Sequence, residues 1–450
     1  MAGEKYNELI ITFTDNGEEG VPLEADITAD NIVEESMKLT QSINDENYLK
    51  FGGCIAAQFS IDLLNTDSRK FTDSLVGRWI SVKLIERTDS GDPLLPSSEL
   101  TPGAMVYPGN EFNSNVHYLF SGKIESATLD KNDLNVRNIV AYDAMAILYA
   151  TDATNYVYQR LATNTFLLGE AISHCLFNNE KIRIPEYGGD NWRKIYREEF
   201  DRTGGGDITT VTNFIIKNDY WEENTSTISC GELLKLCCEV LAAFGVIVPD
   251  SGKGSFKMIT LKDTPVVYQY YEKLQPEEYI STGYTDYLFL TQGNSSGKTA
   301  SAISGFPMAT DEAVEKSYDF TKNAMIYEPS SGSSQSRTST QFDRLIMTTS
   351  IGYRIAMNSA TDPDPSADIN DYLPACQFDS YRPLTATVEG IPEQIIGKPI
   401  TIIANKTNPD GSYVEENGEF VKEYINTYVF KRTLTGIQAL TDEIEVKGQR

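Results

Sequence analysis

One β-strand pattern occurs twice in this chain, with a spacing of about 320 residues. Each copy has a short strand, then a glycine followed by a basic residue and a β-rich strand, and then a hairpin. The glycine is Gly77 in the first copy and Gly397 in the second. The matching stretches are 56–64 and 384–390, then 73–85 and 393–405, then 120–143 and 428–448. The repetition predicts one β module that is used twice.

The two hairpins are recognised from β-favouring runs on either side of a polar turn. In the first copy, the Asp- and Asn-containing segment 130–133 is the expected turn. In the second copy, we expect the turn at 441–443, with Ile444 and Val446 on the returning strand.

Residues 6–155 are expected to be all-β. Segments 9–13, 32–39 and 80–84 have strand character, and residues 55–63 alternate strictly between apolar and polar side chains. Such period-2 alternation is typical of a strand with one buried face. Segment 87–115 is polar and rich in proline and glycine, which predicts a surface loop. Several antiparallel strands of this kind favour a small barrel or sandwich.

The middle of the chain has helical character. Segments 144–149 and 165–177 are predicted helices, and the clearest helix covers 230–244. Ser229 and Glu232 form a capping box at its start, and Gly245 is expected to end it. A strand at 246–248, a turn at 249–252 and a strand at 256–261 should follow.

The predicted class is mainly β with an α/β insertion (α+β), in which two similar small β-barrel-like domains flank a helix-containing domain. Residues 279–304 return to strand character, 330–339 resemble a flexible polar linker, and 342–357 are a predicted helix. The expected divisions are 1–155 (first barrel), 156–265 (α/β insertion), 266–305 (first strands of the second barrel), 306–375 (linker and a helix packing on the insertion) and 376–450 (rest of the second barrel).

Composition excludes several classes of function. The chain has 38 Lys and Arg against 65 Asp and Glu, a net charge of −27. Stable nucleic-acid binding needs clustered cations, so we expect DNA to pass this surface without binding. The N-terminus has no signal-peptide pattern, and no run of about 18 apolar residues predicts a membrane span.

Cysteine and histidine give little support for a metal site. The six cysteines include no C-x-x-C pair, so a structural zinc is not expected. Cys237 and Cys238 fall in a helical apolar run and are interpreted as buried small hydrophobes. The two histidines, His117 and His174, lack the partner pattern of a catalytic residue. The cysteine usage fits synthesis in a reducing cytoplasm.

The segment 293–299, GNSSGKT, is similar to a phosphate-binding loop but has three rather than four residues between its glycines. A phosphate loop must also open a helix, whereas Gly305 and Pro307 follow here. Paired carboxylates such as Glu34 and Glu35 are frequent in so acidic a chain and predict no glycosidase. We therefore predict no catalytic, cofactor-binding or metal-binding residues and no cofactor.

Four stretches in order resemble the tail hub proteins of long-tailed bacteriophages, also called baseplate hub or tail-associated proteins, with relatives in contractile injection systems. Those stretches are 35–63, 120–148, 229–261 and 381–403, the last with the core GIPEQIIGKPI. The family often has Asp after the glycine of that core, where this chain has Lys398.

The resemblance implies a homotrimer in which two β domains per chain form a pseudo-sixfold ring at the end of the tail tube. Implied partners are a distal tail or tail tube protein, the tape measure protein, and a tip spike or receptor-binding protein. DNA would be present only in transit, and no stable membrane association is expected. The implied location is the virion tail tip, after synthesis in the bacterial host cytoplasm.

Two other functions stay open from the sequence. One is a tail enzyme that degrades cell-wall peptides or glycans, which would need a cleft with a perturbed carboxylate or a metal. Because the chain stops at Arg450, directly after the second module, we expect no added hydrolase domain. The other is a carbohydrate-binding surface module, which would need an exposed aromatic platform.

Overall fold

A computed structural model describes residues 5–14, 26–43, 52–67, 69–88, 116–162, 166–177, 214–216, 227–240, 243–250, 253–259, 268–272, 298–304, 325–329, 342–348, 354–359, 384–393, 395–406, 408, 410 and 412–446. These residues are mostly β with few helices, which confirms the mainly-β prediction. Most of the strands belong to one 13-stranded sheet.

The N-terminal strands form the first part of this sheet, in the order β1-β4-β5-β6-β3-β2 with antiparallel neighbours. Alternate residues of β3, including Phe59 and Ile61, are fully buried in a core made largely by this strand set. The bounds are β1 (Lys5–Thr14), β2 (Lys38–Ser42), β3 (Gln58–Leu64), β4 (Trp79–Thr88), β5 (Val116–Leu129) and β6 (Val136–Asp143). We call these six strands the first set.

The middle of the chain supplies the helices, and they contribute to a second core. The elements of this middle region are α1 (Ala144–Tyr149), α2 (Thr154–Ala162), β7 (Phe166–Leu167), α3 (Leu168–Phe177), β8 (Phe214–Ile216), α4 (Cys230–Val240), β9 (Phe244–Asp250) and β10 (Lys253–Ile259). Strands β9 and β10 form an antiparallel hairpin. The apolar faces of α1, α3 and α4 pack in this core together with the C-terminal strands.

Seven of the later strands continue the large sheet, whereas β13–β15 and the pair β18–β19 belong to two smaller sheets. After β2 the order is β21-β22-β16-β12-β11-β17-β20, and β20 leads back into β21 through Val429 and Phe430. The bounds are β11 (Tyr268–Glu272), β12 (Lys298–Ser304), β13 (Met325–Pro329), β14 (Phe342–Thr348), β15 (Arg354–Ser359), β16 (Leu384–Glu389), β17 (Pro399–Asn405), β18 (Glu415–Glu416), β19 (Glu419–Phe420), β20 (Lys422–Tyr428), β21 (Lys431–Thr435) and β22 (Thr441–Val446). We call β11, β12, β16, β17 and β20–β22 the second set.

The glycine turns of the two copies have the same backbone geometry. Gly77 has φ +86° and Gly397 has φ +75°, a region that L side chains rarely adopt. The Gly77 N–H donates to the carbonyl of Ile124 at 2.9 Å, and the Ile124 N–H donates back to the residue after the glycine at 2.9 Å. Gly397 and Val429 make the same two bonds at 2.7 and 3.0 Å. The repeated sequence pattern therefore corresponds to a repeated backbone arrangement.

The second hairpin differs from its prediction. Residues 441–443 lie in β22, and the turn is formed by the segment 436–440. Asp442 is buried on the same face as Ile444 and Val446, so a charged residue occupies a core-facing strand position. Its charge misled the interpretation, because an Asp in a strand is uncommon unless it has a partner.

The predicted helix at 342–357 is wrong. Residues Phe342–Thr348 and Arg354–Ser359 are two antiparallel strands, β14 and β15, and they join β13, β8 and β7 in a five-stranded sheet. Short apolar runs do not distinguish a helix from a strand by spacing alone. Here β14 pairs with β13 and β15, and β15 also pairs with β8.

Other boundaries were predicted with mixed success. Helix α1 has the predicted bounds, and α3 starts three residues later than expected. Helix α4 is shorter than the predicted 230–244, and Gly245 lies inside β9 rather than at the helix end. The strand expected at 32–39 begins only at Lys38 in the structure. The surface loop predicted at 87–115 begins later than expected, because Arg87 and Thr88 belong to β4. Residues 89–115 and the linker predicted at 330–339 lie outside the described residues.

The two glycine turns provide a matched pair for a stability test. At Gly77 an added Cβ would meet nothing closer than 3.9 Å, so Gly77→Ala should lower the unfolding free energy by about 1–2 kcal/mol through backbone strain. At Gly397 the same atom would lie 2.5 Å from Cγ2 of Ile259, so Gly397→Ala should lower it further. Urea unfolding of both variants measures the difference. Equal losses would contradict the role of the Ile259 contact.

Candidate assembly site

The two strand sets meet in an antiparallel pair between β2 and β21, which we call the junction. Lys38 pairs with Thr435 and Ser42 with Lys431. One further hydrogen bond extends the pair at each end, from Ile43 N–H to the Phe430 carbonyl at 2.8 Å and from the Gly436 N–H to the Met37 carbonyl at 3.3 Å. The junction makes the first and second sets one continuous sheet.

Apolar side chains on the C-terminal side of the junction complete the N-terminal core. Leu434 is 0% exposed and lies in the core cluster of the first set, as does Ile437. Two hydrogen bonds join Asn7 of β1 to Gln438 in the turn after β21. The Asn7 N–H donates to Oε1 of Gln438 at 3.0 Å, and Nε2 of Gln438 donates to the Asn7 carbonyl at 2.6 Å. The last hairpin is thus structurally part of both sets.

A buried ion pair stands beside the junction. Arg432 is 1% exposed and Asp442 is 0% exposed, and two hydrogen bonds of 2.9 Å join the guanidinium to the carboxylate. The guanidinium also donates to the backbone carbonyls of Ile391 and Glu393, and Asp442 accepts the Ile391 N–H at 2.9 Å. The pair therefore fixes the segment before β17 against the hairpin β21–β22.

The first set also has a guanidinium in the corresponding region. It comes from the second strand of the hairpin, β6, whereas Arg432 lies in the first strand of its hairpin, β21. Strand register and equal turn lengths place Arg137 at the position of Asp442 and Ala127 at the position of Arg432. Arg137 contacts the Ala127 carbonyl and the carboxylate of Asp73, which belongs to the segment before β4. Asp73 is solvent-exposed, so this ion pair should contribute little to stability.

The two ion pairs predict unequal costs when their acids are removed. Asp442→Ala leaves the Arg432 charge buried without its partner, and the unfolding free energy should fall by about 3–5 kcal/mol. Asp73→Ala is the matched control and should cost no more than about 1 kcal/mol. The double change Arg432→Met with Asp442→Leu removes both charges and should cost less than Asp442→Ala alone. Chemical unfolding of the three variants checks this order, and similar losses for Asp442→Ala and Asp73→Ala would contradict it.

Asp143 connects the first set to the helical region. Its carboxylate caps α1 by accepting the Met145 N–H at 3.0 Å, and its other oxygen accepts the Ala57 N–H at 3.0 Å. Burial raises the pKa of Asp143 to about 7, and the two backbone hydrogen bonds oppose that rise. A sequence signal existed here, since Asp directly before an apolar helical run is a typical N-cap.

The raised pKa of Asp143 predicts the direction in which stability changes with pH. Its folded pKa lies above the unfolded value of 3.8, so its contribution is fully present below about pH 4 and is lost as pH rises through about 7. The melting temperature of the native chain relative to Asp143→Asn should therefore fall between pH 4 and pH 8.

Asp152 serves as the control for this measurement. Hydrogen bonds from Thr154 lower the pKa of Asp152, so its contribution is lost as pH falls. Because that loss occurs only below the unfolded pKa of 3.8, the corresponding difference for Asp152→Asn should stay constant between pH 4 and pH 8. The same slope for both variants would contradict the assignment.

The described cysteines are buried, and His174 is half-buried. Burial raises the pKa of Cys175, Cys237 and Cys238, which keeps them as thiols. His174 stacks on Tyr156 with ring centroids 3.7 Å apart, and partial burial together with the charge of Arg160 lowers its pKa. Among the described residues, no group of His, Cys, Asp and Glu side chains is arranged to hold a metal ion.

The other sequence motifs have the following positions. In GNSSGKT, Lys298 and Thr299 open strand β12 rather than a helix, and 293–297 lie outside the described residues. The capping box at α4 is present, with the Ser229 N–H donating to Glu232 at 2.7 Å and the Glu232 N–H donating to the Ser229 hydroxyl at 3.2 Å. None of the described helices has the length and apolar content to span a membrane. The absence of catalytic, cofactor and metal residues stays a prediction.

Comparison with known proteins gives distant structural neighbours. A 43 kDa tail protein of prophage MuSo2 from Shewanella oneidensis has a TM-score of 0.34 and 9% identity, covering 98% of this chain and 98% of that chain. A prophage tail protein from Listeria monocytogenes has a TM-score of 0.35 and 12% identity, covering 98% and 95%. An E. coli type VI secretion component, described as structurally similar to T4 bacteriophage tail proteins, has a TM-score of 0.35 and 7% identity, covering 98% and 77%.

No protein-family model matches the chain, and no curated protein matches it in sequence. The three neighbours are described as two prophage tail proteins and a type VI secretion component.

Proposed function

We propose that this chain is a structural hub protein of a phage tail, in which it forms a ring at the end of the tail tube. One observation carries the proposal: two strand sets whose last hairpins have the same register and whose glycine turns make the same hydrogen bonds lie edge to edge in one sheet. A chain with two equivalent units is suited to linking assemblies of different symmetry, because three chains present six units.

In this proposal each strand set is a small barrel-like domain, and the helix-containing segment lies between them in the sequence. The cyclic order of the second set supports a barrel, since its pairings run from β21 to β20 and the chain then returns to β21. Three copies of the chain would give a pseudo-sixfold ring with a central channel. Closure of such a ring would cover sheet edges that would otherwise aggregate.

The proposed partners are a tail tube or distal tail protein and the tape measure protein on one side, and a spike or receptor-binding protein at the tip. The chain would act in the virion tail tip without catalysing a reaction. The net charge of −27 supports a role in DNA passage, because like charge repels the DNA backbone. DNA would therefore pass the ring without being retained.

Light scattering and averaged electron-microscope images of the purified chain test the proposal. The expected particle is a trimer of three 50.1 kDa chains with six lobes around a channel. The measurement should span a range of concentrations, since ring formation is governed by mass action. A stable dimer, a solid particle, or a monomer at every concentration would contradict the proposal.

A further inference from the structure

Five of the six cysteines lie among the described residues, and all five are buried in the second core. They come from parts of the chain that are far apart in sequence: the segment before β3, helix α3 and helix α4. The proposed hub function makes no use of these thiols. The five residues are Cys54, Cys175, Cys230, Cys237 and Cys238.

Two of these thiols are in direct contact. The Sγ atoms of Cys54 and Cys238 are 3.7 Å apart, although the two residues are separated by 184 positions in the sequence. Cys54 is 1% exposed and Cys238 is 0% exposed. A disulfide needs about 2.05 Å between its sulfur atoms, so the two atoms would have to approach by less than about 2 Å.

Backbone contacts hold the two thiols beside each other. The Ala243 N–H donates to the Cys238 carbonyl at 2.9 Å, and the Ala243 carbonyl accepts the Gly52 N–H at 2.8 Å. Gly245 pairs with Cys54 in a parallel β-bridge. These contacts tie the segment before β3 to the end of α4. The approach of the two sulfur atoms therefore requires little movement of the backbone.

The absence of a side chain at Gly245 leaves space for the Cys54 thiol. An added Cβ at Gly245 would lie 2.5 Å from Sγ of Cys54 and 2.8 Å from the ring of Phe256. A side chain at this position would therefore displace the thiol from its contact with Cys238. Gly245 lies inside β9 rather than at the end of α4, so the space that the thiol needs explains this glycine better than helix termination does.

We propose that Cys54 and Cys238 form an intrachain disulfide when the chain is exposed to a peroxide. The disulfide would join the segment before β3 to α4, and thus the first set to the helical region, by a covalent bond. Hydrogen peroxide suits this site because it adds only one oxygen atom to a sulfur in a closely packed core. A larger oxidant such as a glutathione disulfide would have to place a mixed disulfide there. This inference does not depend on the proposed function.

The reaction balances with one molecule of hydrogen peroxide. The thiolate of one cysteine attacks a peroxide oxygen, the O–O bond breaks, and the displaced hydroxide takes up a proton to give water. The attacking sulfur is then a sulfenic acid. The thiolate of the second cysteine attacks this sulfur, the S–S bond forms, the S–O bond breaks, and the second hydroxide also leaves as water. The two thiols lose two electrons in total, and the peroxide accepts both.

Burial determines the conditions under which the pair reacts. The thiolate is the reacting form of cysteine, and burial together with the neighbouring Cys54 thiol raises the pKa of Cys238. The pair should therefore remain a dithiol in a reducing compartment. It should react slowly with peroxide at neutral pH and faster as the pH rises.

Peptide mapping of the native chain tests the link. The reduced chain has six thiols, and one equivalent of hydrogen peroxide at about pH 9 should leave four. Trypsin digestion without a reductant should then release a peptide with Cys54 joined to the peptide that contains Cys237 and Cys238. Cys175 and Cys230 are the competing pair, because their side chains are also hydrogen-bonded. A link between these two or any other pair, or an unchanged number of thiols, would overturn the inference.

The adjacent cysteines of α4 provide a matched control. Cys238→Ala and Cys54→Ala should each abolish the link, whereas Cys237→Ala should form it like the native chain. Circular dichroism checks that each variant is folded, and the map of the native chain requires no substitution. Loss of the link in Cys237→Ala with its retention in Cys238→Ala would overturn the assignment.

The link should also change the stability of the chain. Peroxide treatment should raise the melting temperature of the native chain, because a cross-link between distant residues restricts the unfolded chain. Dithiothreitol should reverse the rise, and Cys54→Ala should show no rise. An unchanged or lower melting temperature of the linked chain would overturn the inference, because the link would then have formed in a distorted chain.

Discussion

The pairing of β2 with β21 is the contact on which the rest of the structure depends. It joins residues near the two ends of the chain, and it carries Leu434 and Ile437 into the core of the first set. Closing so long a loop costs conformational entropy before the contact contributes any stability. The first set therefore cannot complete its core until the last hairpin has been synthesised and has docked, and the two sets should unfold together.

The repeat has kept its backbone arrangement and changed its polar chemistry. Both sets hold a positive-φ glycine with the same hydrogen bonds, and both place a guanidinium between the hairpin and the segment that precedes the glycine. Arg137 enters from β6 and Arg432 from β21. What is shared is a donor for backbone carbonyls that would otherwise be buried without a partner. The carboxylate that accepts from the guanidinium differs in position between the two sets: Asp73 is exposed, and Asp442 is buried.

Sequence patterns predicted those features that local chemistry determines. The glycine turns, the alternation in β3, the capping box and the bounds of α1 all follow from a few adjacent residues. Features that depend on distant partners could not be predicted in this way. Strands β14 and β15 were interpreted as a helix because the spacing of a short apolar run does not distinguish a helix from a strand, and the pairing of β14 with β13 and of β15 with β14 and β8 is not visible in that spacing. Asp442 was assigned to a turn because its pairing with Arg432 could not be predicted from adjacent residues.

The junction within one chain and a contact between two chains differ in the free energy that each must offset. At the junction, β2 and β21 are tethered, so their pairing occurs at a high effective concentration. A contact between two copies of the chain must also offset the translational and rotational entropy of association. The net charge of −27 opposes association further, and salt screens that repulsion. Formation of the proposed ring should therefore depend on both protein concentration and ionic strength. The pairing of β2 with β21 lies within one chain and should not depend on protein concentration.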